Sequence, residues 1–449
     1  MPMDAGADRT PLESALRKAR WRILPLLAFG YLAAYMDRAN ISFAAESINH
    51  DLHFAPQVYG MGAGLFFVSY ALCEIPSNGL LLRFGARRWL ARIMLTWGLL
   101  AAAMMFVQGR SSFYGMRLLL GVAEAGYFPG VLYYLAQWFP VQQRARAISW
   151  FYISFPLSST VMGVAAGSLL RLNGTLGLRG WQWLFLVEGL PAIALSVAFW
   201  FALPDSPAQA RWLDEDESRE LDLVSAEQRE GADDRGGFEL LRDVLGEPRV
   251  WVLGLFNFCM LSGTYALYFF LPTIVRQLTG LTMASVGYLI ALSGLIGAAS
   301  MLVNAWDSDR KMERRWHVLM PTLAMAVMML LAGVHLRGMA VGLMLSMMVA
   351  VFTSLLGPLN VLATELCRGR AVALAVATYN MCGILGGFVG PYWMGWVRHA
   401  TGGYGVGVGS LCGAWVVGAG CIVWLTKARP EKVTNVNENT INAEPEMAE

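Results

Sequence analysis

The chain has 449 residues, of which 56% are hydrophobic and only 15% charged, with a mean hydropathy of +0.48. That balance excludes a soluble globular protein, and a formal net charge of +2 gives no reason to expect a nucleic-acid partner. Apolar stretches recur from residue 22 to residue 426 between short polar clusters, so the chain reads as a polytopic protein of the lipid bilayer.

Residues 1–21 hold Asp4, Asp8 and Glu13 ahead of Arg17-Lys18-Ala19-Arg20, which is not the pattern of a cleavable signal peptide. They are expected to form a cytoplasmic tail. Twelve spans follow, each near the ~20 residues that a bilayer core requires. Six lie at 22–45, 58–82, 89–108, 113–138, 147–170 and 183–203. Six more lie at 249–275, 283–305, 317–335, 339–364, 371–396 and 405–426. The predicted fold is therefore all-α and integral to the membrane, with twelve transmembrane helices in two six-helix bundles (22–203 and 249–426). A polar, mixed-charge linker (204–248) joins the bundles, and a polar tail (427–449) follows them. Lys and Arg set the orientation. The short segments on one side carry twenty of them, the segments on the other side six (Arg110, Arg171, Arg179, Arg276, Arg337, Arg398). Positive charge collects inside, so both termini are expected in the cytoplasm and the protein in a bacterial-type inner membrane.

The first span contains the most costly stretch, Tyr35-Met36-Asp37-Arg38-Ala39-Asn40. Insertion scales put an aspartate or arginine mid-helix at roughly +2.5–3.5 kcal/mol. Neighbours on a helix point about 100° apart, so Asp37 and Arg38 cannot simply neutralise each other; each needs another partner. The fourth span repeats the combination. Arg117 and Glu124 are seven apart, two turns along one face, with Gly121 on the same stripe. Two readings stay open. Cross-pairing of Asp37 with Arg117 and of Glu124 with Arg38 would only hold the bundle together. Alternatively the arginines receive an anionic solute while the carboxylates load and release protons. Tyr35, three residues before Arg38, Tyr70 in the second span and Tyr127 are candidates to line the same space. Glu74 and Glu188 lie nearer span ends. In the eleventh span Tyr379-Asn380 interrupts an apolar, glycine-rich helix, as an interhelical hydrogen bond or a solute contact.

Other chemistry is missing from the pattern. The six cysteines (Cys73, Cys259, Cys367, Cys382, Cys412, Cys421) form no Cys-x-x-Cys pair, and the five histidines are scattered at span ends and loops, so no metal or disulfide frame is expected. No nucleophile–base constellation points to an enzyme. The two halves echo one another: Arg88 and Arg315 lie 227 residues apart, Arg146 and Arg370 224, Pro129 and Pro358 229. Such an offset marks a duplicated six-helix unit, whose solute site falls between the repeats.

These residues together resemble the major facilitator superfamily. The two copies of its loop motif lie at Gly79 to Arg88 and Ala305 to Arg315. The resemblance is closest to its anion:cation symporter family, bacterial tartrate, phthalate, nicotinate-type and sugar-acid permeases included. It rests on Tyr35-x-Asp37-Arg38-x-Asn40-Ile41, Glu74-Ile75-Pro76-Ser77-Asn78, Arg117 to Gly126, Tyr133-Tyr134 with Trp138-Phe139-Pro140, and Gly386 to Tyr392. It implies proton-coupled uptake of a small organic carboxylate by alternating access, driven by the proton gradient without a cofactor, by a monomer. Asp37 and Glu124 would be the proton sites. Arg38, Arg117, Tyr35, Tyr70 and Asn380 would bind the anion. Arg83, Arg87, Arg88, Asp309, Arg310, Arg314 and Arg315 would form a gating latch between the halves. Leu82 and Met312 depart from the loop motif, where an Asp and a Gly are usual, and Ile384 stands where relatives often carry a second asparagine. An uncoupled facilitator, an exporter of the same superfamily and a membrane sensor are the competing readings.

Overall fold

The computed structural model describes residues 10–230, 242, 244–334, 338–364 and 371–427. Arg337, Arg368 and Arg370 of the charge pattern, together with Cys367, His335 and the tail after Lys427, lie outside the described residues. Every regular element among the described residues is helical.

The first half opens with α1 (Pro11–Asp51), 41 residues long and so about 60 Å from end to end. Thr10 caps it, its hydroxyl accepting from the Glu13 N–H at 3.3 Å, and Pro11 occupies the first turn, where no N–H is needed. There follow α2 (Pro56–Phe84), α3 (Ala86–Ala103), α4 (Arg110–Glu124), α5 (Tyr127–Trp138), α6 (Val141–Tyr152), α7 (Ser154–Leu170) and α8 (Gly180–Ala202). The second half holds α10 (Pro248–Thr279), α11 (Met283–Lys311), α12 (Arg315–Val334), α13 (Gly338–Ser354), α14 (Leu356–Thr364), α15 (Ala371–Thr401) and α16 (Gly405–Lys427). Eleven helical stretches are long and apolar enough to cross a membrane. The twelfth crossing is α1, whose hydropathy is held down by Asp37, Arg38 and Asn40.

Three expected spans are each two helices. The fourth breaks between α4 and α5, the fifth between α6 and α7, and the tenth between α13 and α14. The fourth-span break is built into the sequence. Gly126 adopts φ 88°, left-handed backbone that a side chain disfavours. The freed Ala125 carbonyl accepts from Ser77 Oγ at 2.6 Å, and Ser77 in turn accepts from Trp89 Nε1 at 3.0 Å. A non-helical segment at membrane depth is tolerated only when its polar groups are satisfied in this way.

The polar linker is anchored at the end of the molecule that carries the termini. Helix α9 (Glu215–Glu230) docks on the start of α1, where Lys18 pairs with Glu217 at 2.7 Å. Trp212 stacks on Trp138, and the guanidinium of Arg22 lies over its ring.

The halves meet along α2–α15, α7–α11 and α1–α10. At the end far from the termini, their backbones nearly touch. A methyl added to Gly60 would strike the Pro391 carbonyl, one at Gly163 the Gly287 carbonyl, and one at Gly167 the backbone of Ala284. Tyr59 Oη lies 2.9 Å from the Phe269 carbonyl, and Glu46 pairs with Arg276 at 2.7 Å across the same rim. That end is sealed.

Candidate functional site

Below the seal, between the halves, lies a cavity of about 160 Å³, counted as the space open to the centre of a water molecule. A shallow depression at the start of α9, near Asp214 and Arg219, is remote from the buried charges. The buried charges make the inner cavity the candidate.

Helix α1 brings Tyr31, Tyr35 and Arg38 to one face, spaced by four and three residues. Arg38 is 9% exposed. Its Nη2 lies 2.5 Å from Glu124 Oε1, and its Nη1 donates to Tyr265 Oη on α10 at 3.5 Å. The guanidinium also lies over the rings of Tyr35 (4.8 Å), Phe66 (5.3 Å) and Tyr70 (5.6 Å). Planar, permanently charged and weakly hydrated, a guanidinium suits such a cage and can grip a carboxylate with two nitrogens. Glu124 is the last residue of α4, so the helix break follows directly behind it. The second carboxylate oxygen is buried without a hydrogen-bond partner among the described residues.

Of the residues singled out from the sequence, Arg38, Glu124, Tyr35, Tyr70 and Asn380 line this cavity, and so does Tyr127. Asp37 and Arg117 do not. Asp37, 3% exposed, turns away from Arg38 and accepts from Asn40 Nδ2 at 3.2 Å, with Glu188 of α8 buried beside it. Arg117, 1% exposed, donates to the carbonyls of Gly62 (3.1 Å) and Ala63 (3.3 Å) on α2 and lies over the Phe66 ring. Gly121 permits this, its missing side chain letting α4 approach the backbone of Phe66 and Tyr70.

The loop-motif residues sit at the termini end. Arg87 pairs with Asp205 (3.3 Å) and Arg314 with Asp309 (2.8 Å), each pair within its own half. Arg83, Arg310 and Arg315 lie over the rings of Phe84, Trp306 and Trp316, and Arg88 is exposed.

Several lining residues were not singled out as site residues from the sequence. Glu74, set nearer a span end, lines the cavity one helical turn beyond Tyr70 on the same face of α2. From the second half come Tyr265 and Tyr268 of α10, Asn360 of α14 and Tyr379 of α15. Tyr379 Oη donates to Asn360 Oδ1 at 3.1 Å, and Asn257 Nδ2 donates to the Tyr379 carbonyl at 3.0 Å. The pair Tyr265/Tyr268, one turn apart, was the available signal.

A closed-ended cavity lined by rings and a few buried charges, held between two sets of membrane-crossing helices, is the architecture of a membrane transporter. The sequence profile of the Major Facilitator Superfamily matches residues 27–391, and the chain belongs to that superfamily. It is thus a transporter and not an enzyme. It is 41% identical over 417 residues, 93% of this chain and 95% of the other, to a protein of Agrobacterium vitis named a tartrate transporter. It is 39% identical over 426 residues, again 93% and 95%, to the metabolite transport protein NicT of Pseudomonas putida. In fold it is similar to the crystal structure of a D-xylose-proton symporter, with a TM-score of 0.70 over 92% of this chain and 98% of that one, at 19% identity.

Proposed function

We propose that this chain is a proton-coupled symporter that carries a small organic carboxylate across the membrane by alternating access. The observation that carries the reading is the Arg38–Glu124 pair on the cavity wall. In the proposed cycle a proton binds the Glu124 carboxylate and the ion pair opens. The carboxylate of the solute then takes the vacated guanidinium, with Tyr35, Tyr70 and Asn380 around it. Proton and anion thus enter a site that neither occupies well alone, which is the requirement for coupling. Asp37 is proposed as the second proton site, behind Arg38 and beside Asn40. Arg117, turned to the α2 carbonyls in this conformation, acts in the proposal by its charge and by bracing α4. The loop arginines and Asp309 are proposed as the latch that closes the termini end when the distal seal opens. Positive charge collected at the termini end supports an inner-membrane protein with cytoplasmic termini, and we propose that it works as a monomer.

The relatives named above favour a carboxylate of the tartrate type as one candidate. Uptake into right-side-out vesicles of phthalate, 4-hydroxyphenylacetate, nicotinate, tartrate, galactonate and glucarate, with and without a protonophore, tests the reading. Accumulation of one acid that the protonophore abolishes is expected. Uptake that equilibrates and ignores the protonophore would make the chain a facilitator and return Glu124 to structural pairing.

A further inference from the structure

The charges and hydrogen bonds of the cavity wall limit what it can hold. Among the described residues that line it, Arg38 is the one cation, set against two carboxylates, Glu74 and Glu124. The other buried arginine, Arg117, is out of reach, its guanidinium turned onto the Gly62 and Ala63 carbonyls. One carboxylate of a solute can therefore be paired. A second would sit in a low-dielectric space facing Glu74, and an unpaired buried charge beside a like charge is strongly disfavoured.

Half of the lining residues are tyrosine or phenylalanine. Most of their polar groups already have partners in the protein. Tyr127 Oη donates to the Leu27 carbonyl, Tyr268 Oη to the Tyr35 carbonyl, and Tyr31 Oη to Tyr35 Oη. The amide nitrogens of Asn257 and Asn360 are engaged by the carbonyls of Tyr379 and Leu356. The wall thus presents ring faces more than free donors and acceptors. Rings complement a flat apolar body, whereas a chain of hydroxyls would lose water without regaining its hydrogen bonds.

We infer that the solute is a monocarboxylate with a flat, aromatic body, and neither a dicarboxylate nor a polyhydroxy acid. Its carboxylate sits on Arg38, its ring among Tyr35, Tyr70, Phe155 and Tyr265, and Glu74 excludes a second negative charge. The inference rests on the carboxylate-symport reading but narrows it, and differs from the solute named for the Agrobacterium relative.

Two acids differing by one carboxylate on the same ring, benzoate and phthalate, provide the test, with tartrate and gluconate alongside. Binding to the purified full-length chain near neutral pH is read by thermal shift, and uptake into proteoliposomes is read with and without a protonophore. Benzoate is expected to bind at least about tenfold more tightly than phthalate, tartrate or gluconate. Glu74→Gln is expected to narrow the benzoate–phthalate gap several-fold. Phthalate, tartrate or gluconate binding as tightly as benzoate overturns the inference. If one of those three is also accumulated on a proton gradient, the symport reading survives without it. Preferential benzoate binding without protonophore-sensitive uptake upholds the solute class and overturns the coupling. No binding by any of the four overturns the solute class.

Discussion

Arg38 and Arg117 share one ring: Phe66 lies 5.3 Å from the first guanidinium and 5.0 Å from the second. Arg38, on the cavity wall, meets Glu124 and the tyrosines. Arg117, away from the cavity, has hydrogen bonds to backbone carbonyls alone among its described contacts. Two arginines that look equivalent in the sequence thus have different work.

That difference predicts opposite phenotypes. Arg38→Ala should abolish carboxylate binding while leaving a folded protein, since Glu124 on the cavity wall can take up a proton in place of its lost partner. Arg117→Ala leaves the Gly62 and Ala63 carbonyls without their donor and a void beside Phe66, and should destabilise the protein by about 3 kcal/mol. Thermal unfolding in detergent, read beside ligand binding, separates the two. An Arg117→Ala protein with unchanged melting and lost binding would place Arg117 in the binding site after all.

Glu124→Gln cannot carry a proton but keeps the shape of the side chain. Gradient-driven accumulation should vanish while exchange of labelled for unlabelled solute persists. Counterflow assays in proteoliposomes distinguish the two activities; loss of both would remove Glu124 from coupling.

Met312 ends α11 at φ 50°, ψ 35°, a left-handed conformation, in the place where the loop motif usually has glycine. Its side chain is 80% exposed, so packing offers little in return. Left-handed backbone costs a residue with a Cβ roughly 1–2 kcal/mol, and glycine returns part of that through the unfolded chain. Met312→Gly should therefore stabilise the fold by about 0.5–1 kcal/mol, visible as a higher melting temperature with transport unchanged.

The docking of α9 has its own pH signature. Burial pushes the Glu217 carboxyl up, but hydrogen bonds from Lys18, Ser14 and the Asp214 amide outweigh it and hold the group below the usual carboxylate range. Lys18 is pushed up, chiefly by its hydrogen bond to Glu217. A depressed carboxylate stabilises above its unfolded value, about 4.3, and the effect is lost as pH falls through the folded value. A raised lysine stabilises below its unfolded value, about 10.4, and the effect is lost as pH rises through the folded value. Between those limits the contact should be constant. Hydrogen exchange of residues 215–223 should show protection independent of pH from about 6 to 9 after correction for intrinsic rates, and Glu217→Gln should lower it throughout. Protection that changes within that window would mean another group controls the docking.

What could be read from the sequence followed the size of each local penalty. Tyr35 to Asn40 stood out because charge in an apolar run is costly, and the structure sets Arg38 at the cavity. The twelve spans were legible for the same reason. Arg117 was expected at the cavity because it shares a helix face with Glu124. Yet α4 ends at Glu124, and the closeness of α2 that Gly121 permits draws the guanidinium to carbonyls, a contact that leaves no mark in the pattern. Tyr265 and Tyr268 offered only their one-turn spacing as a signal, because a tyrosine in an apolar helix has the same composition whether it packs or lines a space. Glu74 was passed over because it was set nearer a span end, although it lies one turn beyond Tyr70 on the same face of α2.

The seal far from the termini is made mainly of backbone against backbone, at Gly60–Pro391, Gly163–Gly287 and Gly167–Ala284, with one half-exposed ion pair across its rim among the described residues. Dissolved salt weakens attractions between charges but hardly touches close-packed shape. Opening that end should then be nearly indifferent to ionic strength and acutely sensitive to bulk. One added methyl group there would matter more to turnover than a tenfold change in the surrounding salt.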